Sequence, residues 1–308
     1  MDSSESVHPA LAADLELRGL VAGRLTDERR EALIEVEAER IRRTIASGGW
    51  AMANPAGVAL VANLIWDTEH FGEPSADLRR LYLSPEADPS AIAELLNAVL
   101  AHCKTLGIKR YSARVLPASA IALNLLIAQH GFRLVDTSLE IGNARPPVGD
   151  IGGGRWPAET AQVADIEQLV KLSHAFTDNR FYRDPAIATQ LARGVYEKWV
   201  SAATQAGELL CVRDAGQCVG LCTTRQIDLA TTPFGLIGLV IVAPAYRGRG
   251  VFDALLDGAR RALCPDGESA LVSSTQLNNV AAQRAFARHG LYPFAARHVL
   301  HRSSSQTS

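Results

Sequence analysis

The stretch Val242-Ala243-Pro244-Ala245-Tyr246-Arg247-Gly248-Arg249-Gly250-Val251-Phe252 decides how this sequence is read. Before it runs Phe234–Val242, a continuous apolar segment that reads as a strand buried on both faces. After it, Phe252, Leu255, Leu256 and Ala259 recur at helical spacing over residues 250–263. A helix N-terminus carries backbone N–H groups that the helix itself cannot use, so it attracts anions. Glycine lets an anion approach the backbone with no Cβ in the way, and Arg247 and Arg249 add positive charge. The loop therefore reads as a pyrophosphate cradle. A plain Gly-rich turn is the alternative, and it would not call for the two arginines. Neither GxxxxGK[ST] nor the dinucleotide GxGxxG occurs here.

Outward from the loop the C-terminal half is regular. Ser269–Ser274 reads as a strand, Asn279–His289 as a helix stopped by Gly290, and Pro293–His301 as a last strand. On the other side, Glu208–Arg213 and Gln217–Asp228 read as strands joined at Asp214-Ala215-Gly216. A helix over Ala164–Phe176 precedes them, and Asp184-Pro185 opens another with Ile187, Leu191, Val195 and Trp199 along one face. The N-terminal half repeats the plan. Val58–Ile65 and Leu78–Leu83 read as strands, and Asp88-Pro89 opens a helix with Ile92, Leu96, Val99 and Cys103 inward and Gly107 as its stop. Lys109–Val115 follows as a strand, Ser119–His130 as a helix ended by Gly131, and Arg133–Ile141 as a strand. Pro85 stands as far before Gly131 as Pro244 stands before Gly290, which points to an internal duplication. A helix over Thr26–Ile45, capped by Thr26, precedes the repeat. The Gly- and Pro-rich 142–157 reads as a linker. The expected fold is α/β (α+β) with two tandem units, each a mixed central sheet flanked by helices. They cover 1–145, with the extra N-terminal helix, and 158–308.

The chain has 308 residues and a formal net charge of -2. That balance offers no basic face to offset phosphate repulsion, so nucleic acid is not an expected partner. The cysteines, Cys103, Cys211, Cys218, Cys222 and Cys264, include no CxxC and read as free thiols of a reducing compartment, with no metal site. The N-terminus lacks the basic start and apolar core of a signal peptide, and no apolar run is long enough to cross a bilayer. A soluble cytoplasmic protein, monomer or homodimer, is expected. Trp66, Tyr196 and Trp199 read as core aromatics rather than ligand platforms.

The strand-Pro-x-x-Arg-Gly-x-Gly-helix run resembles motif A of the GNAT acetyltransferases, [QR]-x-x-G-x-[GA]. Arg247 and Gly250 match its first two fixed positions, and Phe252 stands where that family has Gly or Ala. A second block, N-x-x-A-x-x-x-Y-x-x-x-G-F, is matched by Asn279, Ala282, Phe286, Gly290 and Leu291. The resemblance implies transfer of an acetyl group from acetyl-CoA to a small-molecule amine. It implies CoA contacts at Val240, Ile241, Val242, Arg247, Gly248, Arg249, Gly250, Val251, Phe252, Asn279 and Phe286. Asn279 would meet the pantetheine arm. The family's Tyr gives a proton to the leaving thiolate, and Phe286 has none to give. His289, His298 or His301 could stand in, against plainer readings as a helix C-terminal cation and two solvated strand positions. Asp228, Gln226 and Asp178 are the polar candidates for taking the amine's proton.

A finer resemblance is to the acetyltransferases of nucleotide-linked amino sugars, such as dTDP-fucosamine. It rests on Ile65-Trp66-Asp67-Thr68-Glu69-His70-Phe71-Gly72, on Gly131-Phe132-Arg133-Leu134-Val135 with Thr137, and on Asn179-Arg180-Phe181, Asp184 and Tyr196-x-x-Trp199. It implies an amino-sugar acceptor met by Arg180, Phe181, Arg225 and Gln276. For Arg180, a salt bridge to Asp178 or Asp184 is an equal alternative. In the first half Pro85 leads to Glu86-Ala87-Asp88, acids where phosphate would lie, so that half resembles a degenerate GNAT unit that binds no CoA. It would serve as scaffold and as one wall of the acceptor pocket. Other readings remain: another small amine (aminoglycoside, amino acid, or a thiol-cofactor precursor as in mycothiol synthase), or an acyl-CoA-binding protein that performs no transfer.

Overall fold

A computed structural model describes residues 38, 41–84, 86–143, 155–227, 234–265 and 269–304. Its strands are β1 Trp50–Asn54, β2 Gly57–Asn63, β3 Ser75–Leu83, β4 Arg110–Val115, β5 Arg133–Asn143, β6 Ala158–Thr160, β7 Leu209–Asp214, β8 Gln217–Ile227, β9 Phe234–Val242, β10 Ala270–Gln276 and β11 Tyr292–Ser303. Its helices are α1 Ile65–Phe71, α2 Pro89–Thr105, α3 Ala120–Ala128, α4 Ile166–Ser173, α5 Thr189–Gln205, α6 Val251–Leu263 and α7 Val280–Arg288. Of the expected N-terminal helix only its end is described, and 41–46 are helical. Pro85 and residues 144–154, most of the expected linker, lie outside the described residues.

The chain forms two compact units. One comprises Met1–Thr137, Arg183–Ala186 and Ala295–Ser308; the other comprises Ser138–Tyr182 and Ile187–Phe294. In the first the strand order is β1-β2-β3-β4-β11, and in the second β5-β10-β9-β8-β7-β6. Both follow one plan. An antiparallel ladder leads to a single parallel pair, β3 with β4 or β9 with β10, flanked by an antiparallel strand. That flanking strand comes from the opposite half of the sequence: β11 pairs β4 through His298↔Val115 to Ser303↔Arg110, and β5 pairs β10 through Leu271↔Asn143 to Gln276↔Ser138.

Apolar periodicity explains the cores. Ile92, Leu95, Leu96, Val99 and Cys103 bury one face of α2 against Val61, Leu78, Leu81, Val115 and Phe132 of its unit. In the other unit Val251, Leu255, Leu256 and Ala259 of α6 are buried, and Val251 and Leu255 close on the backbone of β8 at Gly220. Each large aliphatic side chain buried this way contributes about 1.5–3 kcal/mol.

Several expectations change. The run Val58–Ile65 ends as a strand at Asn63, and Ile65–Phe71 is a helix closed by Gly72 in the left-handed conformation. Asp184-Pro185 does not open a helix, and α5 begins at Thr189. The Asp184 side chain accepts from the Ala186 N–H and from Arg133 and His301 within its own unit. Those bonds compete with the helix-start role. β9 is not buried on both faces: Leu236, Gly238 and Val240 alternate as half-exposed positions.

Candidate active site

The loop between β9 and α6 is shaped by its glycines. Gly248 and Gly250 have φ of 73° and 82°, and a Cβ at either would meet nothing within 4 Å. The backbone there is in the left-handed region and faces open space. Tyr246 and Arg247 spend their N–H groups on Ala243 and Pro244 carbonyls, and the Ala254 N–H goes to Gly250. Among the described residues, no acceptor meets the N–H groups of Gly248, Arg249, Gly250, Val251 or Phe252. A continuous row of unused donors thus opens α6, with the side chains of Arg247 and Arg249 exposed beside it.

The loop is held from behind by residues that sequence reasoning missed. The Trp156 indole N–H donates to the Arg249 carbonyl at 2.8 Å, and its ring meets Tyr246 edge-on at 6.0 Å. The Tyr246 hydroxyl donates to Asp214 Oδ2 at 2.7 Å, which raises the phenol above its usual pKa. The Arg249 guanidinium lies over the Tyr246 ring at 5.4 Å.

Beside the loop two strands part. β9 and β10 pair in parallel only from Phe234↔Ala270 to Leu236↔Val272. Beyond that, Ile237–Val242 has no strand partner on this side among the described residues. On the other side β9 bulges against β8: Gly238 and Leu239 stand opposite Thr223 between the pairs Cys222↔Val240 and Thr224↔Ile237, and Thr223 Oγ1 accepts the Leu239 N–H at 2.8 Å. A bulge of this kind bends and twists its strand pair.

The faces of β9 differ. A Cβ at Gly235 would strike Leu263 of α6, whereas one at Gly238 would strike Thr223 and the ring of Trp199 on α5. These positions lie three apart and so point to opposite faces. α6 covers one face, and α5 stands over the other across a cavity of about 140 Å³. Trp199, Ala203, Glu208, Thr223, Thr224, Arg225, Leu236 and Gly238 line it. Trp199 is 39% exposed, so it is not the core residue expected; Tyr196 is buried.

Of the other expected site residues, Asn279 caps α7, its side-chain oxygen accepting the Ala282 N–H at 3.2 Å. Phe286 is buried, and its ring meets Phe252 edge-on at 5.6 Å. Both departures from the family pattern are thus in contact, joining α7 to the first turn of α6. His289 is buried between Asp253, at 3.2 Å, and Asp257, at 3.5 Å, on α6. His298 Nδ1 lies 3.0 Å from Thr137 Oγ1, and His301 Nδ1 lies 2.9 Å from Asp184. Neither is a free solvated group. Phe181 is buried against Tyr196, and the Arg180 guanidinium lies over the Phe181 ring at 4.5 Å. The Gln276 carbonyl accepts from the Gln283 side chain at 3.3 Å. Asp228 lies outside the described residues. Among the described residues no cluster suits a metal ion, and no helix is long and apolar enough to cross a membrane.

Residues 169–291 match the sequence model of the acetyltransferase (GNAT) family. The fold, too, is GNAT-like. A GCN5-related N-acetyltransferase from Sphaerobacter thermophilus is 19% identical, with a TM-score of 0.54 over 80% of this chain and 77% of that one. A functionally unknown conserved protein from Staphylococcus epidermidis is 11% identical, with a TM-score of 0.57 over 85% and 96%. A GCN5-related N-acetyltransferase from Kribbella flavida is 14% identical, with a TM-score of 0.50 over 86% and 93%. No curated protein matches the chain.

Proposed function

We propose that this protein is an acetyl-CoA-dependent N-acetyltransferase acting on a small primary amine. The observation that carries the reading is the row of unused N–H groups from Gly248 to Phe252, opening beside the parted strands β9 and β10. These donors, with Arg247 and Arg249, fit a pyrophosphate. The unpaired edge over Val240, Ile241 and Val242 fits the amides of a pantetheine arm, and the Asn279 amide nitrogen is placed on the adjoining helix start. When bound, acetyl-CoA supplies an activated acyl group.

Phe252 and Phe286 keep that corner apolar and offer no proton. A thiol has a pKa near 8.5, about 1.5 units below a phenol, so a thiolate can depart near neutral pH without a donor. Positioning of the two reactants then supplies much of the acceleration. The finer sequence likeness suggests an amino sugar carried on a nucleotide as acceptor. The free thiols suit a reducing, cytoplasmic setting. We assign the first unit a scaffold role.

Isothermal titration with acetyl-CoA tests the reading, on the natural protein and on Gly250→Glu. Micromolar binding with one site per chain is expected, and the variant, whose carboxylate enters the donor row, should lose it. Arg247→Ala with Arg249→Ala, which leaves every backbone dihedral undisturbed, should weaken binding with an unchanged melting temperature. Absence of binding to the natural protein would remove acetyl-CoA from the account.

A further inference from the structure

The cavity on the α5 face of β9 holds a charge pair with part of its bonding capacity unused. Arg225 forks onto Glu208: Nε lies 2.9 Å from Oε2 and 3.1 Å from Oε1, and Nη2 lies 2.8 Å from Oε2. A guanidinium carries donors on more than one edge of its plane. The fork uses the Nε edge, so the Nη1 hydrogens and the outer Nη2 hydrogen stay available; no described residue accepts them. Glu208 likewise keeps lone pairs on Oε1, since a carboxylate has about four acceptor positions. The Glu208 backbone is anchored: its N–H donates to the Ala203 carbonyl at 2.8 Å, and its carbonyl accepts the Thr224 N–H at 2.7 Å. Opposite stands the half-exposed indole of Trp199, over Gly238.

We infer that this cavity is the docking site of the acceptor, and that the acceptor carries an oxyanion, a carboxylate or a phosphate, near its amine. Arg225 receives the oxyanion on its free edge, Glu208 receives the ammonium, and Trp199 supplies an apolar wall. That the ligand is an acetyl acceptor rests on the reading proposed above. A lone arginine would attract any anion. A cation–carboxylate pair instead favours a molecule with both charges, because a neutral polar ligand must displace water from both heads without gaining charge-assisted hydrogen bonds. The cavity, about 140 Å³, is smaller than the roughly 300–1,000 Å³ of sites that enclose a whole drug-sized ligand. It takes the amine-bearing end and leaves the rest outside. Leu236 is the last residue of β9 paired to β10, so an amine seated over Leu236 and Gly238 stands at the start of the gap.

The test needs no acyl donor. Glucosamine 6-phosphate is titrated against glucosamine, and L-alanine against L-alaninamide, into the natural protein and into Arg225→Gln and Glu208→Gln. At least one oxyanion-bearing member should bind about tenfold or more tightly than its partner without the oxyanion, and Arg225→Gln should erase the difference. Glu208→Gln should weaken the amine-bearing phosphate but not inorganic phosphate. Whichever pair shows the larger ratio identifies the oxyanion. The inference is overturned if neither pair differs, if the preference survives Arg225→Gln in a variant of unchanged melting temperature, or if none of the four binds at 10 mM. Loss of all acetyl transfer with the binding preference intact would instead remove the acetyltransferase reading and leave the docking site.

Discussion

The two units build the same strand–turn–helix and use it differently. In both, the first strand of the parallel pair bulges, at Arg79 or at Gly238–Leu239, and the parallel pairing stops early, after Leu78↔Ala113 or Leu236↔Val272. The turns then diverge. Before α2 the Glu86 and Ala87 N–H groups bond back to Ser84, Pro89 has no N–H, and Asp88 takes the Ser90 hydroxyl. Beyond the last pair, Arg79 and Arg114 both turn back to the buried Asp77. Before α6 the N–H groups stay unused and the gap is lined by the unpaired backbone of an apolar stretch. The shared geometry is a frame; the capacity for an anion lies in donors left without acceptors.

Charge reversal gives the largest expected contrast. Arg249→Glu should weaken acetyl-CoA by about 100-fold, the scale of one or two charge-assisted hydrogen bonds. Asp88→Arg, the matching change before α2, should leave affinity and stoichiometry unchanged in the same titration; a second bound acetyl-CoA would break the comparison.

The buried His–Asp pairs come next. Burial would raise the Asp184 carboxyl, but hydrogen bonds from His301, the Ala186 N–H and Arg133, with the His301 charge, outweigh it and hold the pKa at about 2. A depressed carboxylate stabilises the fold above its unfolded pKa, near 3.9, and loses that contribution as pH falls toward 2. Asp184→Asn should therefore cost about 2 kcal/mol in urea unfolding at pH 7 and almost nothing at pH 2. An equal cost at both pH values would contradict the assignment.

The smallest contrast is in thiol reactivity. Burial pushes Cys103 of the first unit up to about 11 and Cys222 of the second to about 12. In the second unit the half-exposed Cys218 is lowered by a hydrogen bond from Cys211, with Arg213 nearby. The thiolate is the reactive form. Iodoacetamide at pH 7 should modify Cys218 before Cys103 and Cys222, as read by peptide mass spectrometry; simultaneous labelling would count against it.

Much of the frame was legible because the signals are local. The bounds of β9 coincide with an uninterrupted apolar run, and the helices α2, α6 and α7 follow proline, glycine and asparagine punctuation. β1, Trp50–Asn54, was missed because alanines fill its outward positions and give little polar contrast to Trp50 and Met52, and α1 because it buries no residue of its own. The donor row was legible through Gly248 and Gly250. Trp156 was not, lying in a Gly- and Pro-rich stretch that offered no reason to place it on the loop. The cavity was illegible too: an apolar run tells that a strand avoids water, not which neighbour covers it, and the approach of Trp199 to Gly238 arises from long-range packing alone.

The exchanged strands set an order of assembly. The free edge of β4 is closed by residues 298–303, and that of β10 by residues 138–143. As the chain leaves the ribosome, the first unit must wait with an open sheet edge until residues 298–303 have been made. A nascent chain halted near residue 145 would present that edge to solvent and to chaperones.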